Sequence, residues 1–162
     1  MSNLADLIGV RHMLPADRDY VTHTWLHNYA TYGLGVGGID REVLFRCHRQ
    51  IVHRLLDKHT TAVAYDPNDT RIILGFLCGD TYPSAALVHF AYVRRRFRKR
   101  GIAQMLLEQL GWLPGQPIMS THNTFDGKSV AQRKPVLYNP YLQQAEFAGG
   151  LRGRTTRGIE EE

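Results

Sequence analysis

At 162 residues the chain has the usual length of one domain built around one core. No apolar run approaches the roughly 20 residues of a membrane helix, and Met1–Val10 carries Asp6 in place of a basic segment and a long apolar stretch, which predicts a soluble, cytoplasmic protein with no membrane partner. A net charge of +5 favours an anionic ligand without choosing among nucleic acid, an acidic membrane and a phosphorylated cofactor; its densest part is Arg94, Arg95, Arg96, Arg98, Lys99 and Arg100.

Ile8 to Met13 reads as a first strand, closed by Leu14-Pro15, and Asp17 adds an acidic residue early in a helix whose apolar face is Tyr20 or Val21, Trp25 and Tyr29. Tyr32 to Gly38 is a glycine-rich break. Asp40 then caps a long helix running to about His59. Cys47, Ile51 and Leu55 form its apolar stripe, widened by Val43, Leu44, Val52 and Leu56. His48, His53 and His59 recur at spacings that scatter them around this helix, which argues against a metal site. Cys47 and Cys78 are expected to be buried free thiols in a reducing compartment.

Thr61 to Tyr65 and Ile72 to Cys78 are apolar, β-branched runs joined by Asp66-Pro67-Asn68-Asp69, a hairpin. Ala86 to Val93 makes the next strand, Gly101 to Leu113 a helix with Ile102, Met105, Leu106 and Leu110 inward, and Ile118 to Thr121 a further strand. Beyond it, Asn123 to Arg133 is polar, and Pro135 and Pro140 interrupt the remaining chain before residue 150. Residues 151–162 show no apolar periodicity and read as a disordered tail on a single domain of residues 1–150. The order implies an α/β fold with a mixed, mostly antiparallel central sheet flanked by helices.

Chemistry concentrates where a strand, a basic turn and a helix start succeed one another, from Leu87 to Leu107. The N–H groups of a first helical turn lack intrahelical partners and lie at the positive end of the dipole, so they suit a pyrophosphate. Gly101 and Ala103 keep the approach open, Arg98 can add a bidentate contact, and Lys99 and Arg100 attract the anion. Arg98-Lys99-Arg100-Gly101-Ile102-Ala103 resembles the Arg/Gln-x-x-Gly-x-Gly/Ala signature of the GCN5-related N-acetyltransferase (GNAT) superfamily. Val93, Phe97 and Leu106-Leu107 extend the register, and Ile73-Leu74-Gly75-Phe76 is similar to the family's third-strand pattern. The resemblance covers roughly Ile8 to Thr121.

It implies a fourth strand splayed from the fifth by a bulge, an acetyl-CoA co-substrate whose pantetheine arm pairs near Tyr92 and Val93, and direct attack of an amine on the thioester without a metal. For the base, His89 stands inside the fourth strand, four residues before Val93 and expected on its face, with an ordinary pKa suited to neutral pH. The serotonin N-acetyltransferase branch is similar, with a histidine at the matching place and a second that aligns with Leu87. His122 can face the same cleft. The family's C-terminal motif Asn-x-x-Ala-x-x-Leu-Tyr places its acid at Tyr138, after Leu137, with Tyr141 as second candidate; Asn123, assigned to the cofactor, lies farther upstream than the motif asks.

Other readings stay open beside this one. Without the glycine register the basic run would read as a solvated face, and the runner-up function is a nucleic-acid module with Phe97, Tyr92 or Tyr138 stacking on bases. A GNAT fold that binds acyl-CoA without turnover is a third, and a homodimer is open. The acceptor amine is not named by the residues; one on a nucleic acid or a basic protein fits the charge. Gly33-Leu34-Gly35-Val36-Gly37-Gly38 has the letters of a dinucleotide motif, but no strand precedes it and the next helix is capped after it, so it reads as a loop over the acceptor site.

Overall fold

The computed structural model describes residues 7–123 and 136–143. Its six-stranded sheet runs in the order β1 (Gly9–His12), β2 (Thr60–Asp66), β3 (Asp69–Thr81), β4 (Ala86–Val93), β5 (Ile118–Ser120) and β6 (Val136–Tyr138). β1 to β4 pair antiparallel, whereas β4 with β5 and β5 with β6 are parallel. The mixed, mostly antiparallel sheet expected from the element order is therefore present. The parallel step arises from α3 (Ile102–Gln109), which carries the chain back across the sheet between β4 and β5.

α1 (Arg18–Tyr32) and α2 (Arg41–Lys58) cover one face. There Val21, Trp25 and Leu26 meet Val52 and Leu55 over Val63, Phe76, Cys78 and Phe90. Trp25 is fully buried and stacks on Phe90 at 4.9 Å, as a core residue. On the other face Ile102, Leu106 and Leu107 of α3 pack on Ala62, Leu74, Leu77 and Val88.

Asp40 caps α2 as its sequence implies, accepting from the Val43 N–H at 3.1 Å. The buried stripe of α2 is Leu44, His48, Val52, Leu55 and Leu56, so Cys47 and Val43 face solvent and only Cys78 is a buried thiol. The core side was set by α1, and it admits an imidazole one turn from Leu44. α3 stops at Gln109, short of Leu113, because Gly111 takes a left-handed φ of 97° that ends the helix. The irregular region expected after Ile118–Ser120 contains a strand: Val136–Tyr138 pairs with it despite the flanking prolines. The tail, residues 151–162, lies outside the described residues.

Candidate active site

β4 and β5 pair only from Ala86 to Val88, with a last tie from the Thr121 N–H to the Val88 carbonyl at 3.1 Å. β4 continues to Val93 bonded to β3, so its edge beyond Val88 parts from β5. A bulge marks the parting: Cys78 faces Phe90 but Gly79 faces Val88, which leaves His89 as the extra residue. Gly79 makes the bulge feasible, since a Cβ there would lie 2.1 Å from the Leu87 carbonyl oxygen.

This bulge corrects the face expected for His89. Simple alternation would put it beside Val93, which packs on the α3 side. The inserted residue reverses the alternation, and His89 points toward α2, its ring 4.2 Å from that of His59. It is fully buried. His89 Nδ1 lies 2.9 Å from Thr121 Oγ1, and the same oxygen lies 3.0 Å from His122 Nδ1. His122 Nε2 lies 3.0 Å from His48 Nε2. The two histidines singled out by sequence thus share one hydroxyl. Three further participants had not been marked: Thr121, His48, and the His59–Asp80 pair beside the His89 ring. His48 was legible in principle, because its spacing of four from Leu44 and from Val52 puts it on the buried face of α2.

The electrostatics also depart from the sequence reading. Burial drives the His89 pKa down to about 3, helped by His59 and Arg54 and opposed by Asp80, so the expected value near neutrality does not hold. Burial takes His48 to about 4 and His122 well below the ordinary range, the latter assisted by its histidine neighbours. All three rings are neutral at physiological pH. For Asp80, burial acts upward but the His59 contact outweighs it, and its pKa is lowered.

At the far end of β4, Arg98 Nε donates to the Val93 carbonyl at 2.8 Å, tying the basic turn to the strand. Lys99 and Gly101 both take positive φ, 61° and 80°, which turns the chain into α3. The Gly101 carbonyl accepts the first helical bond from Met105, so the N–H groups of Ile102, Ala103 and Gln104 have no acceptor within the helix. Gly101 faces open space, with no atom of the described residues within 4 Å of a Cβ built there. Tyr92 and Val93 are half-buried beside this loop, and Lys99 and Arg100 are exposed.

Tyr138 lies on β6 in register with Ser120 and is 53% exposed, and Tyr141 is 67% exposed. Tyr29, stacked on His48 at 4.7 Å, has its pKa raised by burial and by Tyr138 nearby. The Asn123 carbonyl accepts from the Leu34 N–H at 2.9 Å, so the loop after α1 is fastened to the end of β5. A depression of about 310 Å³ beside α1 is lined by His23, His27, Asn28, Tyr32 and Tyr92, among others. Among the described residues there is no group of three or more metal-ligating side chains, and no helix is long and apolar enough to cross a membrane.

No protein-family model matches the chain, and no curated protein matches it. Solved structures do resemble it. A ribosomal-protein-alanine N-acetyltransferase from Brucella melitensis biovar Abortus 2308 is 18% identical over 78% of this chain and 89% of that one, with a TM-score of 0.49. An aminoglycoside N-acetyltransferase in complex with CoA is 16% identical over 96% and 93%, at 0.43. A GNAT-family acetyltransferase from Staphylococcus aureus Mu50 is 15% identical over 64% and 62%, at 0.44. The chain's own geometry combines the antiparallel β1 to β4, the parallel β4–β5 pair parted by a bulge, and the basic turn into α3.

Proposed function

We propose that the chain is an N-acyltransferase that moves an acetyl or other short acyl group from acetyl-CoA to a primary amine by direct attack in a ternary complex. One observation carries this reading: the open edge of β4 beyond Val88 leads through Gly101, where an added Cβ would face open space, to a helix start whose first N–H groups have no acceptor within the helix. The edge offers backbone groups to an amide-bearing pantetheine arm at Tyr92 and Val93. Ile102 and Ala103, with Lys99 and Arg100, receive the pyrophosphate, and Arg98 holds their loop against the strand. The thioester then lies near the bulge, with the amine entering from the α1 side past Tyr92. His89 takes the amine proton and Tyr138 supplies one to the leaving thiolate.

Acetyl-CoA should raise the Tm, since a ligand that binds only the folded state stabilises it by mass action. Gly101→Asp should abolish the shift by placing a charge at the phosphates, and Arg98→Ala should reduce it. Thiol release across a panel of amines then reads out transfer. No Tm shift at millimolar acetyl-CoA sinks the donor assignment. The nucleic-acid reading is favoured only by the exposure of Arg95, Arg96, Lys99 and Arg100. DNA bound at nanomolar concentration in physiological salt, and not displaced by CoA, would put that reading first.

A further inference from the structure

The hydrogen-bonded series from His89 through Thr121 and His122 to His48 crosses three elements, β4, the end of β5 and α2. Its two ends differ. His89 Nε2 is buried with no hydrogen-bond partner among the described residues, at the bulge where β4 leaves β5. His48, at the other end, is 8% exposed on α2. We propose that this series is a proton wire that carries the proton received at His89 Nε2, through Thr121 Oγ1 and His122, to His48 and out to solvent; the proposal rests on the acyltransferase reading above.

Each link has one donor and one acceptor, and each neutral imidazole has one N–H, so the whole series has two internally consistent directions. In the first, His89 Nδ1–H donates to Thr121 Oγ1, the Thr121 hydroxyl donates to His122 Nδ1, and His122 Nε2–H donates to His48 Nε2. His48 then carries its proton on Nδ1, and His89 Nε2 is a bare lone pair. In the second every bond is reversed, and His89 Nε2 bears a buried N–H with no acceptor. An orphaned buried donor is the costlier defect, so the first direction is the resting state.

A proton taken at His89 Nε2 converts the first direction into the second. His89 Nδ1 passes its proton to Thr121, Thr121 passes its own to His122 Nδ1, His122 Nε2 passes its own to His48 Nε2, and His48 Nδ1 releases one to water. One proton enters, one leaves, and no ring keeps a charge. The reverse shift draws a proton in at His48 and returns one to the cleft, replacing the proton that Tyr138 gives to the thiolate. Full burial keeps the acceptor off the ring, so one water carries the proton to Nε2. This arrangement answers the difficulty raised by the neutral interior, where an imidazole that cannot hold a charge can still pass a proton on.

Other titratable groups face the wire. His59, bonded to Asp80, lies against the His89 ring, with Arg54 within electrostatic reach; Tyr29 stacks on His48 and meets the His122 edge, with Tyr138 beyond it. His48, Thr121 and His122 are positioning residues in this account, because they act through His89.

Long-range proton–nitrogen NMR correlations on the ¹⁵N-labelled full chain test the wire without any substrate. The expected result is His89 and His48 protonated on Nδ1, His122 on Nε2, and all three neutral at pH 7. His89 protonated on Nε2, or any of the three as a cation, overturns the proposal. Thr121→Val, close in size, should scramble the tautomers of His89 and His122, lower kcat by about 10² with the KM for acetyl-CoA unchanged, and bring the solvent isotope effect on kcat close to one; Thr121→Ser should restore all three. Retention of kcat and of the isotope effect in Thr121→Val overturns the wire. If acetyl-CoA binds but no amine is acetylated, the acyltransferase reading fails, while the tautomers still decide the direction and coupling of the series.

Discussion

His48, His89 and His122 are neutral in the folded chain because burial penalises the cation, and they return to an ordinary pKa of about 6.5 when the chain unfolds. Between those values the unfolded chain binds more protons. Their contribution to stability is therefore complete above about pH 6.5 and is lost as pH falls toward 4, at up to about 1.4 kcal/mol per pH unit for each histidine. Thermal melts from pH 7.5 to 4 should show a Tm that drops steeply below 6.5, and His122→Gln should flatten that drop. A Tm independent of pH across this window would contradict the neutral interior. The two cysteines also separate cleanly. Cys47 is exposed, while burial pushes the Cys78 thiol up to about 12 and its Sγ lies 3.9 Å from the Leu55 carbonyl. A disulfide reagent should titrate one thiol in the native protein and both after unfolding.

β3 and β4 are joined so closely that their glycines determine the shape of the cleft. Gly79 approaches the Leu87 carbonyl and Gly75 the Tyr92 carbonyl, where added Cβ atoms would lie 2.1 and 2.7 Å away. These contacts are with backbone, which cannot swing aside as a flexible side chain would. Gly79→Ala should therefore cost about 1–3 kcal/mol, as overpacking does elsewhere, read as a lower denaturant midpoint at unchanged m. It should also weaken acetyl-CoA binding, because the bulge that parts β4 from β5 is the feature displaced. A variant with wild-type stability and affinity would show that the parting does not depend on Gly79. Trp25→Ala, across the sheet at α1, should cost about 3–5 kcal/mol, yet it should change acetyl-CoA affinity little at temperatures where the variant is folded, since Trp25 packs on the face away from α3.

Over the whole molecule the densest run of positive charge lies at one end of β4, where Arg96 and Arg100 both lie over the Phe97 ring at 5.5 and 5.9 Å and Arg98 clasps the strand. A ligand held partly by that field should bind more weakly as salt shortens the screening length from about 10 Å at 0.1 M to about 3 Å at 1 M. Calorimetric titration with CoA should show affinity falling several-fold over that range, and dephosphorylated pantetheine should show almost no salt dependence. Equal salt slopes for the two ligands would place the anion elsewhere.

The element order up to β5, the hairpin, the cap at Asp40 and the basic turn into α3 were all legible in the sequence, because each is written in residues that are neighbours along the chain: alternation, helical spacing, turn formers, a glycine in register with a basic run. α2 was legible as a helix but its inward side was not, because a stripe that includes Cys47 and one that includes His48 differ by a single position and only packing against α1 and the sheet selects between them. β6 was hidden by its prolines, since a three-residue strand is stabilised by its partner β5 and not by its own propensity. The histidines show the division most clearly. Residue type and spacing marked His89 and His122, but the direction of His89 is set by a bulge, and a bulge exists only in the register of two strands. That register turned the ring from the α3 side to the α2 side, brought Thr121 between two imidazoles, and buried all three rings in a neutral series that no local pattern could have encoded.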